Sequence, residues 1–304
     1  PMGSGGVTVV DDATVQLIAL CNGSNSLEDI SKQTVSNAKE VVANVQVLAE
    51  REVLYISPDF TREVCRHRPR KSLVCWVHLT NRCNLACVYC YIHKSPGDMS
   101  MVTAKTAVDK IINSCRRAGI PSFGLKFAGG EPLLRLNDLK AVVSYAEANK
   151  GELKSSYVVL TNSTLVTDEV AEYLAENDFG VGTSLDGLQV AHDRARYTPA
   201  GRGSYEAVIK GLNALTAVGI SPSVNATISR ANYRDIRELT SLMMESGWKF
   251  RYSLERDTDT GNPSVLEHES EVIDELMACY DLIEQRLPTR DITKIHQFGD
   301  TVFN

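Results

Sequence analysis

The chain has 304 residues, of which 43% are hydrophobic and 23% are charged, and its formal net charge is −6. This length suits one large domain with a smaller one. The negative charge argues against nucleic acid or an anionic membrane surface as a partner, and no apolar run approaches the roughly 20 residues that span a bilayer. The eight cysteines occur without a secretion-signal pattern, which indicates a reducing, cytoplasmic location where clustered thiols more often bind metal.

Residues 1–65 predict a small winged-helix-like domain. The segment SLED, from Ser26 to Asp29, is typical of a helix-capping box, and a helical face follows with Val41, Val45 and Leu48. EVLYIS then predicts a wing strand. Residues 1–63 hold nine acidic against four basic residues, the wrong sign for DNA. A peptide that adds as a strand to the wing fits better, and a purely structural cap is the alternative.

After a basic linker at 66–72, residues 73–304 alternate between strand and helix patterns. Repeated β-α units require a parallel sheet with right-handed crossovers. Six units predict an α/β fold, a partial (β/α)6 barrel, with an open doubly wound sheet as the alternative. In both, chemistry is expected at the carboxyl ends of the strands. The predicted strands are 72–80, 122–130, 155–162, 179–187, 221–229 and 249–255, and the helices are 102–118, 136–149, 167–177, 204–218, 232–246 and 267–286.

Three cysteines follow the first predicted strand with the spacing C-x3-C-x2-C: Cys83, Cys87 and Cys90. Structural zinc is usually held by four ligands in two separated pairs, and a second C-x2-C pair is absent from the sequence. A [4Fe–4S] cluster takes one thiolate per iron, so three thiolates from one loop leave one iron open to a substrate or cofactor. A chance cluster or a zinc half-site is the alternative.

The cysteine loop, with Tyr89 before its last cysteine, and the later segment FAGGEP resemble the radical S-adenosylmethionine (SAM) enzymes from about residue 72 to 256. The resemblance implies a [4Fe–4S] cluster on the three cysteines and SAM on the open iron. In that family an electron from the cluster cleaves SAM, and the 5′-deoxyadenosyl radical abstracts a hydrogen atom from the substrate.

The resemblance also implies residues that contact SAM. Gly129, Gly130 and Glu131 would meet the methionine amine, and Tyr89 would lie near the adenine. SLDG followed by HDRAR resembles the subfamily in which a serine and an arginine contact SAM, which match Ser184 and Arg196 here. Two asparagines, expected at the ends of strands three and five, would contact ribose hydroxyls or substrate, or only form turns; they are Asn162 and Asn225.

Other residues leave two interpretations open. Asp186 is the candidate general base, with organisation of its turn as the alternative. His192 contacts substrate or takes part in loop hydrogen bonding. Lys126 contacts SAM or peptide if it faces the inside of the barrel, and is an ordinary surface lysine otherwise. Residues 258–304 contain an amphipathic helix without a chemical signal.

SLDG…HDRARYTPAGRGSYEAVIKGL resembles the peptide- and protein-modifying branch of the family, which includes anaerobic sulfatase maturases and ribosomal-peptide maturases. Members commonly carry a C-terminal SPASM region with auxiliary clusters, and the chain ends about where that region would begin. Either the enzyme lacks this region, which is our expectation, or the chain is incomplete. The N-terminal domain resembles the precursor-peptide recognition domain fused to such maturases.

The sequence therefore predicts a maturase whose N-terminal domain binds the leader of a precursor peptide. Hydrogen abstraction from the core peptide would give a cross-link or a backbone change, including loss of a backbone fragment. An external electron donor such as flavodoxin or ferredoxin is expected, and a further partner protein is left open. The alternatives are a sulfatase-maturase-like or small-molecule radical SAM enzyme, and a non-enzymatic iron–sulfur redox sensor.

Overall fold

The protein is described from a computed structural model, which covers residues 12–34, 37–50, 54, 71–92, 94–255 and 265–286. The described residues up to 54 belong to one compact unit, and those from 71 onward belong to another. The predicted wing strand, apart from Leu54, and the predicted linker, apart from Lys71 and Ser72, lie outside the described residues.

The first unit contains three described helices: α1 (Asp12–Leu20), α2 (Leu27–Gln33) and α3 (Ala38–Glu50). The predicted capping box at α2 is confirmed, because the Ser26 side chain accepts from the Asp29 amide while the Asp29 carboxylate accepts from the Ser26 amide. The predicted apolar face of α3 is also confirmed. The buried core of this unit consists of Leu17, Ile30, Val41 and Leu48, with Val45 packed against it.

The second unit is built on a six-stranded parallel sheet with the strand order β1-β2-β3-β4-β5-β6. This order, with a helix after each strand, is that of the predicted partial (β/α)6 barrel. The strands are β1 (Leu73–Thr80), β2 (Ser122–Gly129), β3 (Lys154–Leu160), β4 (Phe179–Ser184), β5 (Ser223–Ile228) and β6 (Lys249–Leu254).

The helices follow the predicted pattern with one addition, a short helix between β4 and the expected helix at 204–218. It lies immediately after SLDG and positions Arg196, as described below. The helices are α4 (Met101–Ala118), α5 (Leu136–Asn149), α6 (Asp168–Glu176), α7 (Gln189–Ala195, the addition), α8 (Tyr205–Ala217), α9 (Ile236–Glu245) and α10 (Glu269–Arg286).

Alternation along the strands divides the sheet into a face that packs on the helices and an inner face. In β5, Val224, Ala226 and Ile228 are buried with residues of α9 and α10, whereas the alternate positions are only half-buried. Because successive strand residues point to opposite sides, the half-buried set lines the inside of the curved sheet. Among the helices of the described part, none is both long and apolar enough for a membrane span.

Candidate functional site

The cysteine loop begins where β1 ends and is closed at its base by Asp98. Thr80 and Asp98 form an antiparallel bridge, and the Asp98 carboxylate accepts from Arg82 Nη2 at 2.6 Å. Arg135, immediately before α5, also approaches Asp98, with Nη1 2.5 Å from Oδ2. These contacts hold the two ends of the loop together, although no sequence pattern marked Asp98.

The middle of the loop is fixed to the segment around the end of α7. The Ala86 amide donates to the Tyr197 carbonyl at 2.6 Å, and the Val88 amide donates to the Ala195 carbonyl at 3.0 Å. Lys94 donates from Nζ to the Leu85 carbonyl at 2.6 Å. The loop is therefore anchored on both sides of Cys87, and the two backbone bonds join it to the segment that carries Arg196.

Cys83, Cys87 and Cys90 are half-buried free thiols. Burial raises the pKa of Cys87, an effect that the positive charges of Arg196 and Lys94 oppose. Cys83 interacts electrostatically with both Cys87 and Cys90, so the three thiols are neighbours.

The donor set of the loop fits an iron–sulfur cluster. Across the residues that the structure describes, no group of three His, Cys, Asp or Glu side chains is arranged to hold a single metal ion. A [4Fe–4S] cluster does not require that arrangement, because each thiolate binds a different iron. Three free thiols beside two cations are what an anionic thiolate-bound cluster needs.

Gly129 and Gly130 are required where the end of β2 passes the cysteine loop. A Cβ on Gly130 would lie 2.0 Å from the Arg82 carbonyl oxygen, and one on Gly129 would lie 2.3 Å from the Thr80 carbonyl oxygen. The Gly130 and Glu131 amides donate to these same two carbonyls, each at 2.8 Å. The close backbone approach thus serves the loop that carries the cysteines, a local reason that the sequence analysis did not identify.

Glu131 is fully buried and joins the ends of β2 and β3. Its carboxylate accepts from the Leu133 amide at 3.0 Å, the Thr161 hydroxyl at 2.7 Å and the Asn162 amide at 2.7 Å. Burial raises the pKa of Glu131, and these hydrogen bonds oppose the rise. A carboxylate has about four acceptor positions, so about one remains, and its contact with an ammonium group stays a prediction.

Tyr89, Asp186 and Arg196 form a buried hydrogen-bonded group beside Cys87. The Tyr89 hydroxyl donates to Asp186 Oδ2, and Arg196 Nη1 donates to the Tyr89 oxygen at 2.7 Å. The other Asp186 oxygen accepts from the Thr227 amide at 2.9 Å. Burial raises the pKa of Asp186, while Arg196, Tyr89 and the amide oppose it. These contacts organise the ends of β4 and β5, and the predicted general-base role of Asp186 stays a prediction.

Arg196 has one buried donor to spare. Its Nε is buried and lacks a hydrogen-bond partner among the described residues. Burial alone would lower the pKa of Arg196, but the neighbouring Tyr89, Cys87 and Asp186 raise it, so the guanidinium stays charged. A buried, charged donor without a partner costs free energy unless an acceptor fills the position. A carboxylate ligand is the group that suits it.

His192 and Ser204 fix the backbone of Arg196. His192 Nδ1 accepts from the Asp186 amide at 3.3 Å, and its Nε2 lies 3.0 Å from the Ser204 hydroxyl. Ser204 donates in turn to the Arg196 carbonyl at 2.8 Å. Burial lowers the pKa of His192 to about 3, so the ring is neutral at pH 7. The loop hydrogen bonding considered for His192 is therefore present, whereas Ser204 carried no signal in the sequence.

Asn162 and Asn225 lie in different environments. Asn162 follows β3 and donates to Asn84 Oδ1 at 2.8 Å, with its Nδ2 3.8 Å from Cys83 Sγ. The expectation that Asn225 ends its strand is wrong, because the alternation of buried residues carries β5 on to Ile228. Asn225 lies mid-strand, opposite Ser184 in register. Ser184 ends β4, three residues before the predicted end of that strand at 187, and is half-buried.

The partial barrel, the three thiols at the carboxyl end of β1 and the open donor of Arg196 define a protein that binds an iron–sulfur cluster with a carboxylate-bearing ligand beside it. The family model for the Radical SAM superfamily matches residues 77–243. This is more than half of the chain, and the chain belongs to that superfamily, whose members use a [4Fe–4S] cluster and SAM.

Curated relatives differ in what they act on. An uncharacterized protein of Methanocaldococcus jannaschii is 34% identical over 56% of this chain and 58% of its own length. Fe-coproporphyrin III synthase of Methanosarcina barkeri is 31% identical over 76% of this chain and 54% of its own length. The mycofactocin maturase MftC of Mycobacterium tuberculosis is 31% identical over 60% of this chain and 44% of its own length. The chain spans about half the length of these relatives.

Solved structures share the fold. Native anSMEcpe with bound AdoMet and Cp18Cys peptide superposes with a TM-score of 0.63 at 22% identity, covering 71% of this chain and 60% of that one. Streptococcus suis SuiB bound to precursor peptide SuiA superposes with a TM-score of 0.53 at 20% identity, covering 92% of this chain and 64% of that one.

Proposed function

We propose that this protein is a radical SAM maturase that abstracts a hydrogen atom from a ribosomally made precursor peptide. The product would carry a cross-link or a backbone modification, with splicing included. One observation carries the proposal. The Nε of buried Arg196 lacks a hydrogen-bond partner among the described residues, and the Arg196 charge lowers the pKa of Cys87, so a cluster ligand lies next to a donor that suits a carboxylate.

Cys83, Cys87 and Cys90 would hold the cluster, and Arg196 would hold the carboxylate of SAM. When bound, the cluster and SAM together supply one-electron cleavage of the sulfonium and a 5′-deoxyadenosyl radical that takes a hydrogen atom from the substrate. The contribution of the chain is placement and the exclusion of water. Ser184, Asn162 and Asn225 remain candidates for contacts with the rest of SAM or with substrate.

Tyr89 and Asp186 would act by keeping Arg196 in place and charged. The Asp186 carboxylate and the Tyr89 oxygen use one side of the guanidinium through Nη1. The Nε edge is left for the ligand. A carboxylate bound there would add a charge-assisted hydrogen bond at a position that is already dry. The proposed organising role of Asp186 therefore differs from that of a general base, since it needs no proton transfer to substrate.

The peptide substrate is supported by two features. The first unit has its own small core, as expected of a domain that binds a leader segment separately from the chemistry. Binding of the leader would raise the effective concentration of the core peptide at the barrel. The relatives include a mycofactocin maturase. The superposition on SuiB covers 92% of this chain, which is more than the barrel unit alone.

A second candidate is a small-molecule radical SAM enzyme that acts on a tetrapyrrole. Fe-coproporphyrin III synthase aligns over 76% of this chain, more than the mycofactocin maturase does. The first unit separates the two candidates, because an enzyme for a small molecule has no use for a leader-binding domain. Calorimetric titration of the full chain with leader peptides encoded beside its gene is the corresponding measurement.

The test of the proposed activity is anaerobic reconstitution with iron and sulfide, followed by SAM and a reductant. Formation of 5′-deoxyadenosine and methionine is the expected result. A redox sensor would give a cluster spectrum and neither product, and that outcome would overturn the proposal. Transfer of deuterium from a labelled peptide into 5′-deoxyadenosine would then identify the position of hydrogen abstraction.

A further inference from the structure

The inner face of the sheet is cationic in a chain whose net charge is −6. Across the six strands, the charged residues that alternate with the buried, helix-facing residues are all basic. Asp and Glu are absent from these positions, all of which the structure describes. The ion pairs formed between described residues include none of these four cations. The four are Lys126, Lys154, Lys249 and Arg251.

An aromatic residue is exposed in the middle of β1 on the same face. Trp76 is 55% exposed and Val74 is 59% exposed, whereas Val77 and Leu79, on the helix side, are buried. Large apolar residues in a strand interior are normally covered, so an exposed pair indicates a surface that binds something. Apart from Trp76, the chain has one other tryptophan, Trp248, and that residue is buried.

Lys126 and Trp76 form one compact pair. They are direct neighbours in the β1–β2 register, and Lys126 Nζ lies 4.7 Å from the centre of the Trp76 ring. The ring holds the ammonium group in place, which reduces the side-chain entropy lost when the lysine binds an anion. A carboxylate would accept from Nζ while its methylene groups pack on the indole.

The pair lies at a useful distance from the cysteine loop. Trp76 is four residues before Thr80, where the loop begins, and at about 3.3 Å per residue this is about 13 Å along the strand. An extended peptide of about four residues covers the same distance. A peptide whose reacting residue lies at the carboxyl end of the sheet can therefore place a nearby side chain at the pair.

We propose that Lys126 and Trp76 form a recognition subsite for an acidic side chain of the peptide substrate, so that an Asp or Glu a few residues from the modified position sets specificity. The inference rests on the proposed function for the identity of the ligand as a peptide. Charge complementarity supports it, since the inner face offers cations without acidic partners among the described residues. Lys126 thus has the inward position that the sequence analysis considered as one alternative.

The test measures binding to the reconstituted full chain by calorimetry at fixed ionic strength. The probes are an acetylated, amidated hexapeptide with two central glutamates and its glutamine counterpart. Wild type should bind the glutamate peptide about tenfold more tightly. Lys126→Gln should lose that preference and Lys126→Arg should retain it. Lys110→Gln, which removes an exposed lysine from α4, should leave it unchanged.

Equal affinity of wild type for the two peptides, or an unchanged preference in Lys126→Gln, would overturn the subsite. Failure of the glutamate peptide to bind wild type would also overturn it. Coproporphyrin III, followed by its own absorption band, provides a second arm. Lys126-dependent binding of this tetracarboxylate without binding of the glutamate peptide would overturn the peptide assignment. Failure of the proposed function appears separately, as no 5′-deoxyadenosine from SAM, because the binding assay needs no turnover.

Discussion

At the carboxyl ends of the strands, Glu131, Asp186 and Asn162 are buried and hydrogen-bonded on several sides. On the inner face of the same sheet, Trp76 is exposed and Lys126 is half-buried, with the Lys126 ammonium group over the Trp76 ring. In the first region most polar groups hydrogen-bond one another, and among the described residues the Nε of Arg196 is left for a ligand. The second presents groups with unused binding capacity. Cofactor placement needs rigidity, whereas recognition of a substrate needs open groups.

The largest effect is expected from the cysteine loop. Alanine substitution of Cys83, Cys87 or Cys90 should abolish cluster binding, because each removes the ligand of one iron. Iron content per chain and the visible absorption of the anaerobically reconstituted variants are the measurements. Cys75→Ala, a half-buried cysteine of β1 outside the loop, is the control and should retain a full cluster. A cluster that survives loss of Cys87 would show that the loop is not the cofactor site.

A smaller effect is expected on the free energy of unfolding. Alanine at Gly130 tests crowding against a neighbouring backbone, and alanine at Gly219 tests the cost of a side chain at a positive φ. Gly130→Ala places a methyl group against the Arg82 carbonyl, and we expect a loss of about 3 kcal/mol in the free energy of unfolding. Gly219 has a φ of +83° and no atom within 4 Å of an added Cβ, so Gly219→Ala should lose about 1 kcal/mol. Chemical denaturation measures both. Equal losses would mean that the strand end and the cysteine loop are not closely apposed.

The free energy of unfolding should also depend on pH through His192, which is buried at the carboxyl ends of the strands. The pKa of His192 falls from its usual 6.5 to about 3 on folding, so between these values the unfolded chain binds the proton and the folded chain does not. His192 therefore contributes a loss of stability as pH falls from 6.5 towards 3, at about 1.4 kcal/mol per pH unit. His192→Asn should flatten the pH dependence of the unfolding free energy by this amount.

Wild type measured at the same pH values is the reference for that experiment. If His192→Asn gave the same slope as wild type, the neutral His192 that holds the Arg196 backbone would not exist in solution.

The smallest effect belongs to the open face. Trp76→Ala should change the free energy of unfolding by about 0.5 kcal/mol or less, since the side chain is exposed. Trp248→Ala removes the same side chain from a buried position and should lose about 3–5 kcal/mol. A large loss at Trp76 would show that this residue is covered in the folded protein, and the contrast between the two regions would fail.

Sequence patterns predicted the sheet order and the carboxyl-end location of the motifs, because alternation and helical periodicity are local properties. They missed α7, since Gln189–Ala195 is only two turns long and lies inside a segment that the motif HDRAR dominated. They also missed Asp98 and Ser204, whose partners lie far along the chain or depend on one hydroxyl orientation. Such long-range polar contacts follow from the packed backbone and leave no periodic trace.

The central claim is that the buried guanidinium of Arg196 holds the carboxylate of SAM beside the cluster. The most direct measurement is the dissociation constant of SAM from anaerobically reconstituted Arg196→Lys. The control is Arg194→Lys in α7, two residues before Arg196, at a side chain that is 58% exposed. We predict that Arg196→Lys binds SAM at least about tenfold more weakly than wild type, because a lysine cannot reproduce the Nε donor. The affinity of the Arg194→Lys control should be unchanged. Unchanged affinity in Arg196→Lys, with a normal cluster spectrum, would contradict the account.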